Sequence, residues 1–309
     1  MNNINLDTLL ISMGEKVRNL LKDKDVIEIY LNDDKKLWID TLSEGRKFTE
    51  IEIDPQTSKN IIYLIANSVN AEVNEQNPTI DAELPTENGE RFSGLLPPVV
   101  KNPSFAIRKK AIKVFTLEDY VKNGIMTEKQ LNIIKDAVKT RKNILVVGGV
   151  STGKTTLTNA IIKEIAKYKD RLVLIEDTQE LQCETEDRLF LRSTDHVTIR
   201  KLLKQTLRLR PDRIIIGEIR DGVALNLIKA WNTGHPGGVC TLHANSALEG
   251  LDQLESYISE VSMQEQKKTI SKTVNLIINI RKIGLERKIY EILKLNGLDE
   301  NGNYIYEYI

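Results

Sequence analysis

The sequence predicts an α/β protein in which a domain with a mostly parallel sheet follows a smaller α+β domain. In the second part of the chain, apolar strand-like runs alternate with helical segments, which is the order of a parallel sheet covered by helices on both faces. One of these runs leads directly into a glycine-rich loop and then a helix. The first hundred or so residues combine short strand patterns with a helix, which predicts the smaller domain.

Length, charge and composition exclude several classes of protein. The 309 residues leave room for two ordinary domains. A net charge of +0 and an aromatic content of 5% argue against a dedicated nucleic-acid-binding protein. No apolar run approaches the roughly 20 residues of a membrane span, and the start does not resemble a signal peptide. We therefore expect a cytoplasmic protein and leave open its attachment to a membrane complex.

Cysteine and histidine give no sign of a metal cluster or a disulfide framework. Cys183 and Cys240 are far apart in the sequence and form no CxxC pair, so we expect two reduced thiols. The three histidines are likewise scattered and do not have the spacing of metal ligands.

The N-terminal domain is predicted over residues 1–112. Val26–Leu31 and Lys36–Asp40 flank an Asn/Asp turn and predict a β-hairpin. Pro55 begins a helix, since apolar residues after it repeat at helical spacing. Three more short strands are predicted at Thr79–Leu84, Arg91–Leu96 and Phe105–Lys109.

The C-terminal domain is predicted over residues 127–309, after an irregular linker at 113–126. Thr127 is expected to cap a helix that runs to about Thr140, because its hydroxyl can accept a backbone N–H of the first turn. The parallel strands are predicted at Asn143–Val147, Arg171–Ile175, Arg213–Ile216 and Gly238–Leu242. Two later alternating runs are predicted as antiparallel additions, at Val274–Ile283 and Lys288–Leu293.

The glycine-rich loop has the pattern of a phosphate-binding loop. Residues 148–155 read GGVSTGKT, between an apolar strand and a helix. The two flanking glycines let backbone N–H groups wrap a triphosphate, and the helix directs its positive dipole end at the phosphates. We predict that ATP and Mg²⁺ bind here, with Lys154 on the β- and γ-phosphates and Thr155 on the metal. The predicted binding residues are Gly148, Gly149, Val150, Ser151, Thr152, Gly153, Lys154, Thr155 and Thr156.

Three further segments place polar residues after predicted strands, where ligands of open α/β sheets bind. Glu176 and Asp177 end the segment LVLIED, and a carboxylate there can orient or deprotonate the attacking water. Glu218 follows the strand in PDRIIIGEIR and can hold Mg²⁺ through a water or position the nucleophile. His243 follows another strand, where it can sense the γ-phosphate or couple neighbouring subunits.

These segments together resemble the secretion ATPases of type IV secretion and type IV pilus machines. They occur in the order of that family's Walker A, Asp, atypical Walker B and His boxes, as GGVSTGKTT, LIEDTQEL, LRLRPDRIIIGEIR and TGHPGGVCTLHANSA. Residues 91–127, RFSGLLPPVVKNPSFAIRKKAIKVFTLEDYVKNGIMT, are most similar to the TrbB-type conjugal transfer ATPases.

The resemblance implies a RecA-like P-loop ATPase domain, a smaller N-terminal domain, and a homo-hexameric ring on the inner face of the cytoplasmic membrane. Inner-membrane secretion-system proteins are the implied partners. Glu176 matches the family's general base and Glu218 its Walker B glutamate, while Arg91 and Arg108 best match the arginines that reach the phosphates. One departure stands in the phosphate loop, where Val150 and Ser151 replace the usual Thr and Gly.

The predicted function is ATP hydrolysis that powers a conjugative type IV secretion system, in assembly or in substrate transfer. The main alternative is a RecA-like nucleic-acid translocase or helicase, although the neutral charge leads us to expect no tightly held nucleic acid. A nucleotide-gated assembly scaffold with little turnover is a further alternative, against which both candidate carboxylates speak. Whether Glu176 or Glu218 is the general base stays open at this point.

Overall fold

The computed structural model describes residues 6–110, 114–194 and 196–309. The chain divides into two compact units, Met1–Ile112 and Lys113–Ile309, each with its own hydrophobic core. Within the described ranges, every helix is too short or too polar to cross a membrane.

The first unit is a six-stranded antiparallel sheet whose core lies against its helices. Its strands are β1 (Val26–Leu31), β2 (Lys36–Thr41), β3 (Gly45–Glu52), β4 (Thr79–Glu83), β5 (Arg91–Leu95) and β6 (Ser104–Arg108), in the order β3-β2-β1-β6-β5-β4. The helices are α1 (Leu6–Ser12), α2 (Gly14–Lys22) and α3 (Pro55–Ser68). Alternate strand residues such as Ile29, Phe92 and Ile107 are buried against these helices, as the two-residue period of a strand requires.

Most predicted elements of this unit occur where the sequence placed them. The hairpin β1–β2 and strands β4 to β6 are present, and α3 starts at Pro55 with Asp54 accepting two backbone N–H groups as its N-cap. Strand β3 and helices α1 and α2 were not predicted. Strand β3 carries few buried side chains, so its apolar pattern is weak.

The second unit contains an eight-stranded, mostly parallel mixed sheet. Its strands are β7 (Ile144–Gly148), β8 (Leu172–Glu176), β9 (Arg188–Arg192), β10 (Arg213–Ile216), β11 (Val239–His243), β12 (Leu276–Ile283), β13 (Glu286–Leu298) and β14 (Tyr304–Tyr308). The order is β14-β13-β12-β7-β11-β10-β8-β9. The six strands from β12 to β9 are parallel neighbours, and β13 and β14 add on antiparallel to them.

Helices cover both faces of this sheet and give it two apolar layers. They are α4 (Leu117–Lys122), α5 (Glu128–Lys139), α6 (Lys154–Ile165), α7 (Ile199–Thr206), α8 (Val223–Asn232), α9 (Ala247–Ser259) and α10 (Lys267–Thr273), with a short 3₁₀ turn at Ala166–Tyr168. Thr127 caps α5 through a reciprocal pair of hydrogen bonds with Gln130, as its position predicted.

Three predictions for this unit need correction. Residues 113–126 are more than a linker, because Leu117 and Tyr120 of α4 are buried in the core of the second unit. Strand β12 runs parallel to β7, and only β13 and β14 are antiparallel, because the chain reaches β12 from α10 at the same end of the sheet. Strand β9 was missed, since it is a half-exposed edge strand with arginine at both ends.

Candidate functional site

The predicted site segments meet at one edge of the parallel sheet. Strands β7, β11, β10 and β8 are consecutive neighbours, and His243 at the end of β11 pairs in register with Gly148 at the end of β7. Since the carboxyl ends of parallel strands lie on the same edge, the phosphate loop, His243, Glu218 and Glu176 project from that edge. The structure thus brings together four segments that are up to 95 residues apart in the chain.

Glycines in the loop allow close backbone approach. A Cβ atom on Gly148 would collide with the carbonyl oxygen of Ile280. Gly153 has φ +99° and is the N-cap of α6, a left-handed conformation that an L side chain rarely adopts. The loop between them therefore presents backbone, followed by the positive end of a helix, as an anion site requires.

Lys154 is held in the loop itself. Its side chain is buried, with the residue 8% exposed, and its Nζ donates to the carbonyl oxygens of Gly148 at 3.0 Å and Gly149 at 2.8 Å. The same atom lies 3.1 Å from Nδ1 of His243. A buried ammonium gains more from ionised oxygens than from neutral carbonyls, so phosphate oxygens can draw Lys154 from these contacts.

Glu218 and His243 form a polar chain that leads to Lys154. His243 Nε2 lies 3.2 Å from Glu218 Oε1, while its other nitrogen faces Lys154. Arg220 donates to both Glu218 oxygens, from Nε at 2.8 Å and Nη2 at 3.2 Å. Burial raises the pKa of Glu218, but the Arg220 hydrogen bond and the charges of Arg220, His243 and Lys154 outweigh it and leave that pKa below its usual value. Glu218 is therefore a carboxylate at neutral pH and a weak proton acceptor.

Glu176 is fixed by the loop that follows its strand. It is 5% exposed, and its Oε1 accepts backbone N–H groups from Glu180 at 3.0 Å and Leu181 at 2.8 Å. A Cβ on Gly217 would lie 3.0 Å from Glu176 Cγ, so the glycine before Glu218 makes room for Glu176. These contacts hold the Glu176 side chain in one position at the strand end.

Two functional candidates were missed by the sequence analysis. One is Glu180, whose Oε2 accepts a hydrogen bond from Thr155 Oγ1 at 3.3 Å. The Glu180 carboxylate therefore lies beside Thr155, the predicted metal ligand. Glu180 is held there because the buried Asn159 of α6 donates to its carbonyl oxygen at 3.1 Å. Arg220 is the other, through its bidentate contact with Glu218. Their only sequence signal was their place inside the quoted segments LIEDTQEL and PDRIIIGEIR.

The oxygen donors at this edge fit Mg²⁺ bound to a nucleotide. Thr155, Glu180 and Glu218 offer hydroxyl and carboxylate oxygens, the ligands that Mg²⁺ prefers. Among residues 6–110, 114–194 and 196–309, no group of three or more His, Cys, Asp or Glu side chains could hold a metal ion alone. Mg²⁺ would therefore depend on phosphate oxygens as well as on Thr155.

Arg91 and Arg108 lie in the first unit, on neighbouring strands. They are register partners of β5 and β6, so their side chains project side by side from one face of the sheet. Glu28 pairs with Arg108 on one side and Glu83 with Arg91 on the other, which makes a row of two cations between two acids. This row offers two adjacent positive charges to an anion.

Ser151 carries strain that a glycine would relieve, which gives a first prediction. Its φ is +57°, at the position where the resemblance expects glycine, and this region costs an L residue about 1 kcal/mol. We expect Ser151→Gly to keep or tighten ADP binding, and Ser151→Val to weaken it at least fivefold, because β-branched residues fit this region worst. Calorimetric titration with ADP–Mg²⁺ measures both.

The control for Ser151 is Val150→Thr, the other departure in the loop. Val150 is 74% exposed and is not at positive φ, so restoring Thr there should leave ADP affinity unchanged. Equal affinity for the Gly and Val variants at position 151 would show that this backbone conformation does not limit binding.

A known protein family matches most of this chain. The sequence profile of the family described as Type II/IV secretion system protein matches residues 14–289. The chain belongs to this family. The resemblance that the four motifs predicted is thereby confirmed.

Within the type II/IV secretion family, the chain is similar to conjugal transfer and type IV secretion proteins. The chain is 44% identical over 295 residues to the probable conjugal transfer protein TrbB of Sinorhizobium fredii, covering 95% of this chain and 90% of that protein. It is 30% identical to the type IV secretion system protein VirB11 of Bartonella henselae, covering 92% of each. The X-ray structure of the Legionella pneumophila ATPase DotB shares the fold, with a TM-score of 0.66 at 18% identity over 96% of this chain and 79% of that one.

Proposed function

We propose that this protein is a Mg²⁺-dependent P-loop ATPase with a RecA-like second domain, which acts as a homo-hexamer to power a conjugative type IV secretion system. The observation that carries the proposal is the edge of the parallel sheet where Lys154, His243, Glu218 and Glu176 converge behind the phosphate loop. The family, and relatives named as conjugal transfer and type IV secretion proteins, support the secretion role.

Binding begins at the loop. Backbone N–H groups of residues 148–156 and the N-terminus of α6 take the phosphates of ATP, and Lys154 exchanges the Gly148 and Gly149 carbonyls for β- and γ-phosphate oxygens. Thr155 turns its hydroxyl from Glu180 toward the metal site. Bound Mg²⁺ supplies charge neutralisation at the β- and γ-phosphates.

Hydrolysis uses the carboxylate of Glu176 at the end of β8. Glu176 orients a water and accepts its proton as the water oxygen attacks the γ-phosphorus. The bond from that phosphorus to the bridging oxygen breaks, giving ADP and inorganic phosphate. We assign the base role to Glu176 because Glu218 is already committed to Arg220 and His243 and has a lowered pKa.

His243 connects the site to its surroundings. It touches Lys154 on one side and Glu218 on the other, so a shift of Lys154 onto phosphate removes the contact between Lys154 and His243. We assign Arg91 and Arg108 of the N-terminal domain to the stabilisation of negative charge during turnover. We place the hexamer peripherally on the inner face of the cytoplasmic membrane, with inner-membrane secretion proteins as partners.

Lys154→Ala tests the proposal in the full chain. We expect wild-type protein to release phosphate from ATP and to have the mass of a hexamer with ATP–Mg²⁺, measured by light scattering. Lys154→Ala should weaken ATP binding by about 10- to 100-fold and abolish turnover, because it removes a charge-assisted hydrogen bond to phosphate.

The control is Lys163→Ala in the same helix, α6. Lys163 lies nine residues further along α6, and among the described residues its side chain has an ion pair only with the exposed Glu184, at 3.8 Å, so its loss should leave turnover unchanged. Unchanged hydrolysis in Lys154→Ala would remove Lys154 from the site. Hydrolysis that depends strongly on single-stranded DNA and is lost steeply with salt would favour a nucleic-acid translocase instead.

A further inference from the structure

The hairpin of β12 and β13 brings an arginine to the phosphate loop. A Cβ on Gly153 would lie 3.3 Å from Arg287 Cδ and 3.6 Å from its Nε. Gly153 directly precedes Lys154 and caps α6. The start of the Arg287 guanidinium group, its Nε, therefore lies beside the residue at which the loop becomes a helix. The positive end of the helix dipole already favours an anion there.

Among the described residues, no acidic side chain pairs with Arg287, whose charge acts on the phenol of Tyr120. The Arg287 side chain makes no hydrogen bond or ion pair within residues 6–110, 114–194 and 196–309. Its register partner on β12 is Lys282, and the next pair of the hairpin, Arg281 and Lys288, is also doubly basic. Like charges directly opposite each other destabilise a sheet. A half-buried arginine that lies beside an anion site and has no acidic partner among the described residues indicates that a ligand supplies the negative charge.

The order of the sheet shows which part of the nucleotide Arg287 can reach. Strands β11, β10 and β8 lie on one side of β7. His243 and Glu176 end β11 and β8, and Glu218 comes two residues after β10. Strands β12 and β13 lie on the other side, so Arg287 approaches the loop from the flank opposite the catalytic carboxylates. The γ-phosphate must face those carboxylates if they are to activate water against it. Arg287 consequently faces the part of the phosphate chain nearer the nucleoside.

We propose that Arg287 binds the α- and β-phosphates of the nucleotide in cis, and that it sets affinity for ATP and ADP alike. This inference rests on the proposed function. Arg287 differs in role from Arg91 and Arg108, which are assigned to turnover. Its planar fork can hold two phosphate oxygens at once, whereas a lysine at this position would supply charge without the paired geometry.

The test compares Arg287→Ala, Arg287→Lys and wild-type protein by calorimetric titration with ADP–Mg²⁺ and with ATP–Mg²⁺. We expect Arg287→Ala to weaken the binding of ADP and of ATP by a similar factor of about ten or more. The affinities of Arg287→Lys should lie between those of Arg287→Ala and the wild type. In steady-state turnover the Ala variant should show a raised KM, with kcat within about threefold of wild type. Thermal unfolding confirms that each variant is folded.

The matched control is Lys288→Ala, one residue along the same strand. Lys288 is exposed, contacts Glu286 at 3.5 Å, and its side chain points to the opposite side of the strand, so its removal should leave both affinities unchanged. Wild-type affinity in Arg287→Ala, or a loss confined to ATP, would overturn the inference while leaving the proposed function standing. Failure of the wild-type protein to bind any nucleotide would instead refute the proposed function, and the inference with it.

Discussion

Replacing Arg91 or Arg108 by methionine is expected to lower ATP turnover by about 10³- to 10⁵-fold, the contribution of an arginine supplied to a phosphoryl-transfer site. The two residues are register partners on β5 and β6, and together they present a double positive charge. Neutralising either one removes stabilisation of the charge that develops on the transferring phosphoryl group. Phosphate release under saturating ATP measures the loss.

The fold of the first unit should survive these substitutions. Removing Arg91 or Arg108 relieves the repulsion between them, but it also loses the opposite-charge register pair with Glu83 or Glu28. The two effects oppose each other, so we expect an unfolding temperature close to that of the wild type. Arg46→Met is the matched control, since Arg46 lies in the same sheet over the Tyr30 ring and has no role in the proposed chemistry. Retained turnover in both Arg91→Met and Arg108→Met would remove this pair from the mechanism.

Glu176→Gln is expected to retain ATP binding and to lose about 10²- to 10⁴-fold in turnover, the range for removal of a general base. Glutamine keeps an oxygen that can accept from the backbone N–H groups of Glu180 and Leu181, so the side chain stays in place. What it loses is the negative charge and the ability to accept a proton. Single-turnover hydrolysis, with ATP affinity measured alongside, separates this effect from a loss of binding.

Glu218→Gln provides the comparison that decides between the two carboxylates. Its oxygens are already shared by Arg220 and His243, so we expect a smaller loss of turnover than in Glu176→Gln. The main effect should be a higher Mg²⁺ concentration for half-maximal turnover, because the metal loses a nearby carboxylate. Glu184→Gln, an exposed carboxylate that contacts only Lys163 at 3.8 Å among the described ion pairs, is the control. If Glu218→Gln proves the more damaged variant, the roles of base and metal helper exchange.

The elements around the site were predictable because local signals and global fold agree there. The buried parallel strands are continuous apolar runs, and the phosphate loop has a fixed spacing of glycine, lysine and threonine between a strand and a helix. The helix α4 was not predictable in the same way. Its capping box at Thr116 lies in a short segment whose stability comes from burying Leu117 and Tyr120, which no local pattern reveals.

By itself the sequence determined the kind of chemistry, because a phosphate loop needs particular residue types at fixed spacing, and spacing along the chain is a property of sequence. Only the tertiary structure decided which side chains meet that loop. The sheet order sets β12 and β13 on one side of β7 and β11, β10 and β8 on the other, so Arg287 and His243 reach the same loop from opposite flanks. Strand order depends on pairing between segments that are far apart in the chain, and the local sequence around one residue does not show which strands will pair.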